Sequence, residues 1–171
     1  MKTAQSFLKI LALLSVVTVG ISKPIEISKI LILDDQGEDS TFQEIPELQL
    51  GKKILCLWNG DNLQAFFIPT LEDYKGDIDG FLKAQKKSMS AEGAKKIKIE
   101  KIKDITNKQG TTIQKFYSSF VSQGQSHKSI FYIIPLDGVY QMVSVTVTSP
   151  DYFDDISRRA DALFAQSTIK G

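Results

Sequence analysis

The stretch that most limits what this chain can fold into is 128–167, KSIFYIIPLDGVYQMVSVTVTSPDYFDDISRRADALFAQS. It holds two apolar runs joined at Leu136-Asp137-Gly138-Val139, a sharp stop at Ser149-Pro150, and an amphipathic segment. Asp-Gly between two apolar runs signals a hairpin, because a type I′ turn needs positive φ at both central residues. Ile130–Ile134 is apolar on both faces, as befits a central strand covered on both sides. The next run alternates: Val139, Val143, Val145 and Val147 share one face, interrupted by Gln141, and Tyr140, Met142, Ser144 and Thr146 share the other. Ser149 can cap a helix, Pro150 suits its first position, and Asp151, Asp154 and Asp155 suit its positive end. Phe153, Ile156, Ala160 and Leu163 recur at helical spacing and mark its buried stripe. Asp154–Arg158 and Asp155–Arg159 are spaced as i,i+4 pairs on the wet side.

The chain opens with Lys2 and Lys9 and an apolar run from Ile10 to Val19. That run has the length of a signal-peptide core and falls short of the roughly 20 residues that span a bilayer. Small residues at Thr18, Gly20 and Ser22 offer cleavage sites leaving Ile21 or Lys23 first, so residues 1–22 read as a signal peptide. Residues 23–171 then form one exported domain, periplasmic or extracellular. Its 149 residues can bury about two-thirds of their unfolded surface and need no disulfide. That agrees with the single Cys56, which sits among Ile54, Leu55, Leu57 and Trp58 and reads as a buried small hydrophobe.

Without Lys2 and Lys9 the chain carries 19 basic and 20 acidic side chains, unevenly spread. Residues 25–80 hold 12 acids and 4 bases, whereas residues 83–108 hold 9 lysines and 3 acids. Overall neutrality and export both exclude nucleic acid as a partner.

Along the domain, Ile25–Leu33 reads as a first strand, followed by an acidic loop at Asp34–Ser40 and a break at Ile45-Pro46-Glu47. Lys53–Trp58 and Leu63–Ile68 read as a strand pair turning through Asn59-Gly60-Asp61-Asn62 and ended by Pro69-Thr70. Asp77–Ser90 is the next helix, with Ile78, Phe81, Leu82, Gln85 and Met89 on one face and Lys83, Lys86 and Lys87 outside. Gly76 and Gly80 weaken its start by up to about 1 kcal/mol each relative to Ala. Ile97–Ile105 is a strand whose alternation slips, so a bulge is expected near Glu100-Lys101. Its lysines suit an exposed sheet edge. Thr111–Val121 follows, then a turn at Gln123–Ser126 into the opening hairpin. The fold class is α+β: an antiparallel meander flanked by helices, an α/β/α sandwich.

This order, with the ending Val145-Thr146-Val147-Thr148-Ser149-Pro150-Asp151-Tyr152-Phe153-Asp154 and then Leu163-Phe164 and Ser167-Thr168-Ile169, resembles the PsbP-like family. That family takes in the extrinsic PsbP subunit of the oxygen-evolving complex, the Ran-binding import factor of yeast, and exported bacterial proteins. The resemblance runs from about Leu63 to the C-terminus. It rests on packing and capping residues, so it implies a fold rather than a function.

Chemistry is thinly represented. His127 is the only histidine, in a polar turn, and no nucleophile elbow accompanies it. One His and one Cys do not make a zinc site. Asp34-Asp35-Gln36-Gly37-Glu38-Asp39 could hold Ca²⁺, but its spacing is not that of an EF-hand loop, and acidic surface loops are common. Gly51-Lys52-Lys53 lacks the remainder of a phosphate loop. No catalytic residue, metal or cofactor is therefore expected, and the chain reads as non-catalytic. The most unusual feature is Lys95–Lys103. Read with a bulge after Ile99, it puts Lys96, Lys98, Lys101 and Lys103 on one outer face. Such a stripe either guards a sheet edge or docks an acidic protein partner or an anionic envelope surface. The expected function is binding a protein partner or assisting assembly of an envelope complex. The alternative is a small-ligand carrier with a pocket between sheet and helix, lined by Tyr117, Tyr132 or Trp58.

Overall fold

The structure is a computed structural model that describes residues 24–33, 41–45, 54–72, 74, 76–137 and 139–170. The signal segment, the acidic loop at Asp34–Asp39, Pro46 and Gly51–Lys53 lie outside the described residues.

Eleven strands are described: β1 (Ile25–Glu26), β2 (Leu31–Leu33), β3 (Thr41–Ile45), β4 (Ile54–Asn59), β5 (Asn62–Glu72), β6 (Lys95–Lys101), β7 (Ile105–Thr106), β8 (Thr112–Ser122), β9 (Gln125–Leu136), β10 (Val139–Val147) and β11 (Thr168–Ile169). Helices α1 (Ile78–Ala91) and α2 (Phe153–Ala165) complete the order. The main sheet runs β3-β4-β5-β10-β9-β8-β6, with β7 also paired to β8, and every pairing in it is antiparallel. A second sheet runs β1-β2-β11. The meander β6-β8-β9-β10 and its flanking helices match the expected α+β sandwich.

Gln123 and Gly124 both hold positive φ, +52° and +79°, and join β8 to β9 in a tight two-residue turn. β9 is buried on both faces from Ser129 to Ile134, which is why its apolar run does not alternate. One face meets α2 and the small sheet. There Leu57, Phe67, Ile130, Tyr132, Val143 and Val145 pack with Ile156, Ala160, Leu163 and Phe164 of α2 and Leu31 and Leu33 of β2. The other face meets α1, whose Phe81 packs with Phe116, Phe131, Ile133 and Met142. Farther along this second face, Ile54, Cys56 and Phe66 form a separate cluster edged by Trp58.

Five details differ from the sequence reading. Ile25–Leu33 is a hairpin of two short strands, because the Ser28 hydroxyl accepts from Ile30 N (3.3 Å) and Leu31 N (3.1 Å) and folds the chain back. β3 escaped notice, since five residues beside an acidic run show little periodicity. Pro69 does not end β5, which continues to Glu72 along β10; a proline removes one donor, and a long ladder absorbs that loss. Arg158 pairs with Asp155, three residues away, rather than with Asp154. The bulge of β6 lies between Lys95 and Lys98, not at Glu100-Lys101.

The start of α1 shows what its glycines are for. Asp77 caps the helix, accepting from Gly80 N at 2.8 Å. The Tyr74 ring lies across the first turn, edge-on to Phe81 (5.7 Å) and tilted against Tyr140 (6.1 Å). A Cβ on Gly80 would stand 2.4 Å from the Tyr74 hydroxyl, and one on Gly76 would stand 2.5 Å from its ring. Gly80→Ala should therefore destabilise the protein by about 1–2 kcal/mol, overriding a propensity gain of up to about 1 kcal/mol. In a Tyr74→Ala background the same change should become neutral or stabilising. Urea unfolding of the two singles and the double tests this, and a stabilising Gly80→Ala single would refute it.

Candidate functional site

β6 ends the main sheet, and β8 is its sheet neighbour. Its approach is set by α1. The helix stops at Glu92-Gly93, where Gly93 takes φ +95° and Ala94 N donates to Met89 O at 3.0 Å, so the chain turns directly into β6. The exposed lysines of the helix and of the strand are thereby joined by one short turn in the chain. Lys83, Lys86 and Lys87 face outward from α1, opposite Phe81.

The strand itself corrects the one-face stripe. Lys98↔Ser119, Ile99↔Ser118, Glu100↔Tyr117 and Lys101↔Phe116 form an unbroken register. Residues three apart in such a strand point to opposite faces. Lys101 thus shares the α1 side with Ile99, its Nζ 5.8 Å from the Phe116 ring centroid, and Lys98 points to the α2 side. Lys96 sits in the bulge with φ +53°, and Lys103 lies past the strand end. The four lysines wrap an edge instead of lining a face. All are exposed, as are Lys83, Lys86, Lys87 and Lys95. Among the described residues only Lys101 of these eight meets a carboxylate, Asp104 at 3.2 Å. A bulge with a positive-φ lysine also blunts the edge against strand addition, so the edge-guarding role and the charge coexist.

A second polar cluster had no warning in the sequence. Lys115, in mid-strand on β8, is only 5% exposed. Its Nζ lies 2.8 Å from Asp161 Oδ1 and donates to Ser157 Oγ at 3.0 Å, both on α2. Tyr132 of β9, opposite Lys115, donates its hydroxyl to Asp161 Oδ1 at 2.7 Å. Its ring stacks on Phe164 at 4.0 Å. Burial, then the Asp161 charge and hydrogen bond, raise the Tyr132 phenol far above its ordinary range, so it stays a donor. The cluster ties the last helix to the sheet. The Lys115 ammonium and the Tyr132 hydroxyl both have acceptors on α2.

The remaining chemical candidates are dispersed. Cys56 is fully buried, and burial pushes its thiol up to about 12, which leaves no thiolate at neutral pH. His127 stacks on Phe120 at 5.1 Å at the far end of the β8–β9 hairpin. Of the residues named for a ligand pocket, Tyr132 and Tyr117 face α2, Tyr117 lying edge-on to Phe153 at 5.3 Å. Trp58 packs on the opposite face with the Cys56 cluster.

The antiparallel meander between two helices is an α/β/α sandwich of PsbP-like fold. Cyanobacterial PsbP (CyanoP) from Synechocystis shares this fold: its solution structure superposes with a TM-score of 0.54 at 11% identity, over 93% of this chain and 99% of that one. LpqN, described as involved in cell envelope biogenesis of Mycobacterium tuberculosis, superposes with a TM-score of 0.49 at 13% identity, over 87% of this chain and 90% of that one. No protein-family model and no curated protein sequence matches the chain. Among the described residues no helix is long and apolar enough to cross a membrane.

Proposed function

We propose that the protein is a non-catalytic, exported PsbP-like domain that works in the cell envelope by docking its β6 edge on an anionic partner and helping to hold a complex there. The observation that carries this reading is the concentration of exposed lysines around α1 and β6, of which only Lys101 has a carboxylate partner among the described residues. Seven ammonium groups with no carboxylate partner among the described residues, spread over α1 and the β6 region, gain on meeting negative charge. The groups able to do chemistry support the same reading. Cys56 is a buried neutral thiol, Tyr132 a bound donor, His127 a stacked ring, and Lys115 is held by Asp161. For the carrier alternative, the space between sheet and α2 at Tyr132 and Tyr117 is taken up by packing, since Tyr132 is fully buried against Phe164 and Tyr117 lies edge-on to Phe153.

The test is sedimentation of the mature protein with total envelope membranes. Wild type should sediment at low salt and be released near 1 M salt, where the Debye length falls to about 3 Å. The variant carrying Gln at Lys96, Lys98, Lys101 and Lys103 should remain in the supernatant. Equal sedimentation of the two proteins would overturn the reading.

A further inference from the structure

Ile102 is 38% exposed, and it is the exposed large hydrophobic side chain among the described residues. It lies between Lys101 and Lys103, in the middle of the basic edge. Its backbone is fixed, because Ile102 N donates to Lys115 O at 2.9 Å and continues the β6–β8 ladder past the strand end. The side chain is thus presented outward on a rigid support, with no ordering left to occur on contact.

Taking the envelope-docking reading as given, we infer that the surface met by this edge is an anionic phospholipid layer, with Ile102 entering among the headgroups. Three features favour lipid over an acidic protein. First, residues 83–108 contain nine lysines and no arginine. Protein interfaces enrich Arg, whose planar fork pairs with carboxylates in fixed geometry, and they deplete Lys. A layer of mobile phosphates asks for charge and not for geometry, and a lysine supplies that wherever it stands within a Debye length. Second, the lysines spread over both faces of β6 and the outside of α1, so they present no single planar array of charge for a folded partner to match. Third, Ile102 stands between Lys101 and Lys103 in the chain, and an exposed apolar side chain flanked by lysines suits a bilayer surface, where phosphates lie outside the hydrocarbon. Binding of this kind is peripheral and reversible, and it sets the β6 edge toward the membrane with the β3 edge away from it.

The experiment uses the mature chain with two kinds of vesicle, phosphatidylcholine alone and phosphatidylcholine mixed with phosphatidylglycerol. Wild type should bind the mixed vesicles at low salt and ignore the neutral ones. Gln at Lys96, Lys98, Lys101 and Lys103 should weaken binding by at least about tenfold and flatten its salt dependence. Ile102→Ser should weaken it several-fold with the salt dependence kept, and Ile102→Trp should strengthen it, since Trp prefers the interface. Ile102 is exposed, so neither change threatens the fold. Failure to bind mixed vesicles, with sedimentation on whole envelope membranes retained, would assign the edge to an acidic protein and overturn the inference while the docking reading stands. Failure in both assays would remove both. Vesicle binding unaltered in the lysine variant would also refute it.

Discussion

Replacing Asp161 with Ala is expected to cost about 3–5 kcal/mol, the range for breaking a buried ion pair by removing one partner. The loss is large because Lys115 stays behind. Its side chain is 6% exposed, whereas Asp161 is 40% exposed, so the lysine depends on the pair far more than the carboxylate does. Without Asp161 the ammonium keeps Ser157 Oγ and the Tyr132 ring, 5.8 Å to its centroid, and the Tyr132 hydroxyl loses its 2.7 Å acceptor, with a backbone oxygen of Ser157 at 3.4 Å as its remaining contact. Replacing both partners by apolar residues of similar size, Lys115→Met with Asp161→Leu, should restore most of the stability, since the desolvation of both charges is then avoided. Denaturant unfolding of both singles and the double measures the coupling. An Asp161→Ala loss under about 1 kcal/mol would show that Lys115 reaches water once freed.

Phe81→Ala is the second large effect, again about 3–5 kcal/mol. Phe81 is the one fully buried residue of α1, stacked on Tyr140 at 4.8 Å and edge-on to Tyr74 at 5.7 Å. The rest of the helix touches the sheet through half-buried Ile78, Leu82 and Met89. A 14-residue helix is marginal by itself, so losing its anchor should loosen the whole element rather than leave a local void. Hydrogen exchange should then accelerate along α1 while the β8–β9–β10 ladders remain protected. Uniform acceleration across the sheet would mean that α1 and the sheet unfold as one unit. Because α1 carries Lys83, Lys86 and Lys87, the same variant should also weaken docking through the β6 edge.

Much of the architecture was legible because its signals are local. Asp137-Gly138 and Gln123-Gly124 mark turns by residue type, and the Val143-Val145-Val147 alternation sets a strand face. Ile156, Ala160 and Leu163 define α2 by their period, whereas Ser149 and Pro150 cap and open a 3-10 turn over Pro150–Tyr152 that leads into it. The edge position of β6 was legible from its lysines. The bulge position was not: an extra residue after Ile99 would bring Ile97, Ile99 and Ile102 into phase, whereas pairing with β8 puts the bulge between Lys95 and Lys98 and leaves Ile99 and Ile102 on opposite faces. That choice decides whether Lys98 and Lys101 share a face. Gly80 looked like a weakness because propensity counts only the residue itself, whereas the space it leaves is filled by Tyr74.

The sequence by itself determined the long strands and both helices of the C-terminal two-thirds, the hairpin turns, the buried state of Cys56 and the basic character of one segment. These follow from periodicity, turn chemistry and charge within a few residues. The two-residue strands β7 and β11 carry no local signal. The tertiary structure alone decided that β5 lies beside β10, that β11 closes a second sheet on β2, and that Lys115, Tyr132 and Asp161 meet. Lys115 and Asp161 are 46 residues apart, and Asp161 sits on the half-buried flank of α2, where sequence shows only a polar residue. A buried lysine is tolerable only with a counter-charge in reach, and which carboxylate reaches it depends on how α2 crosses the sheet, a geometry that no local pattern encodes.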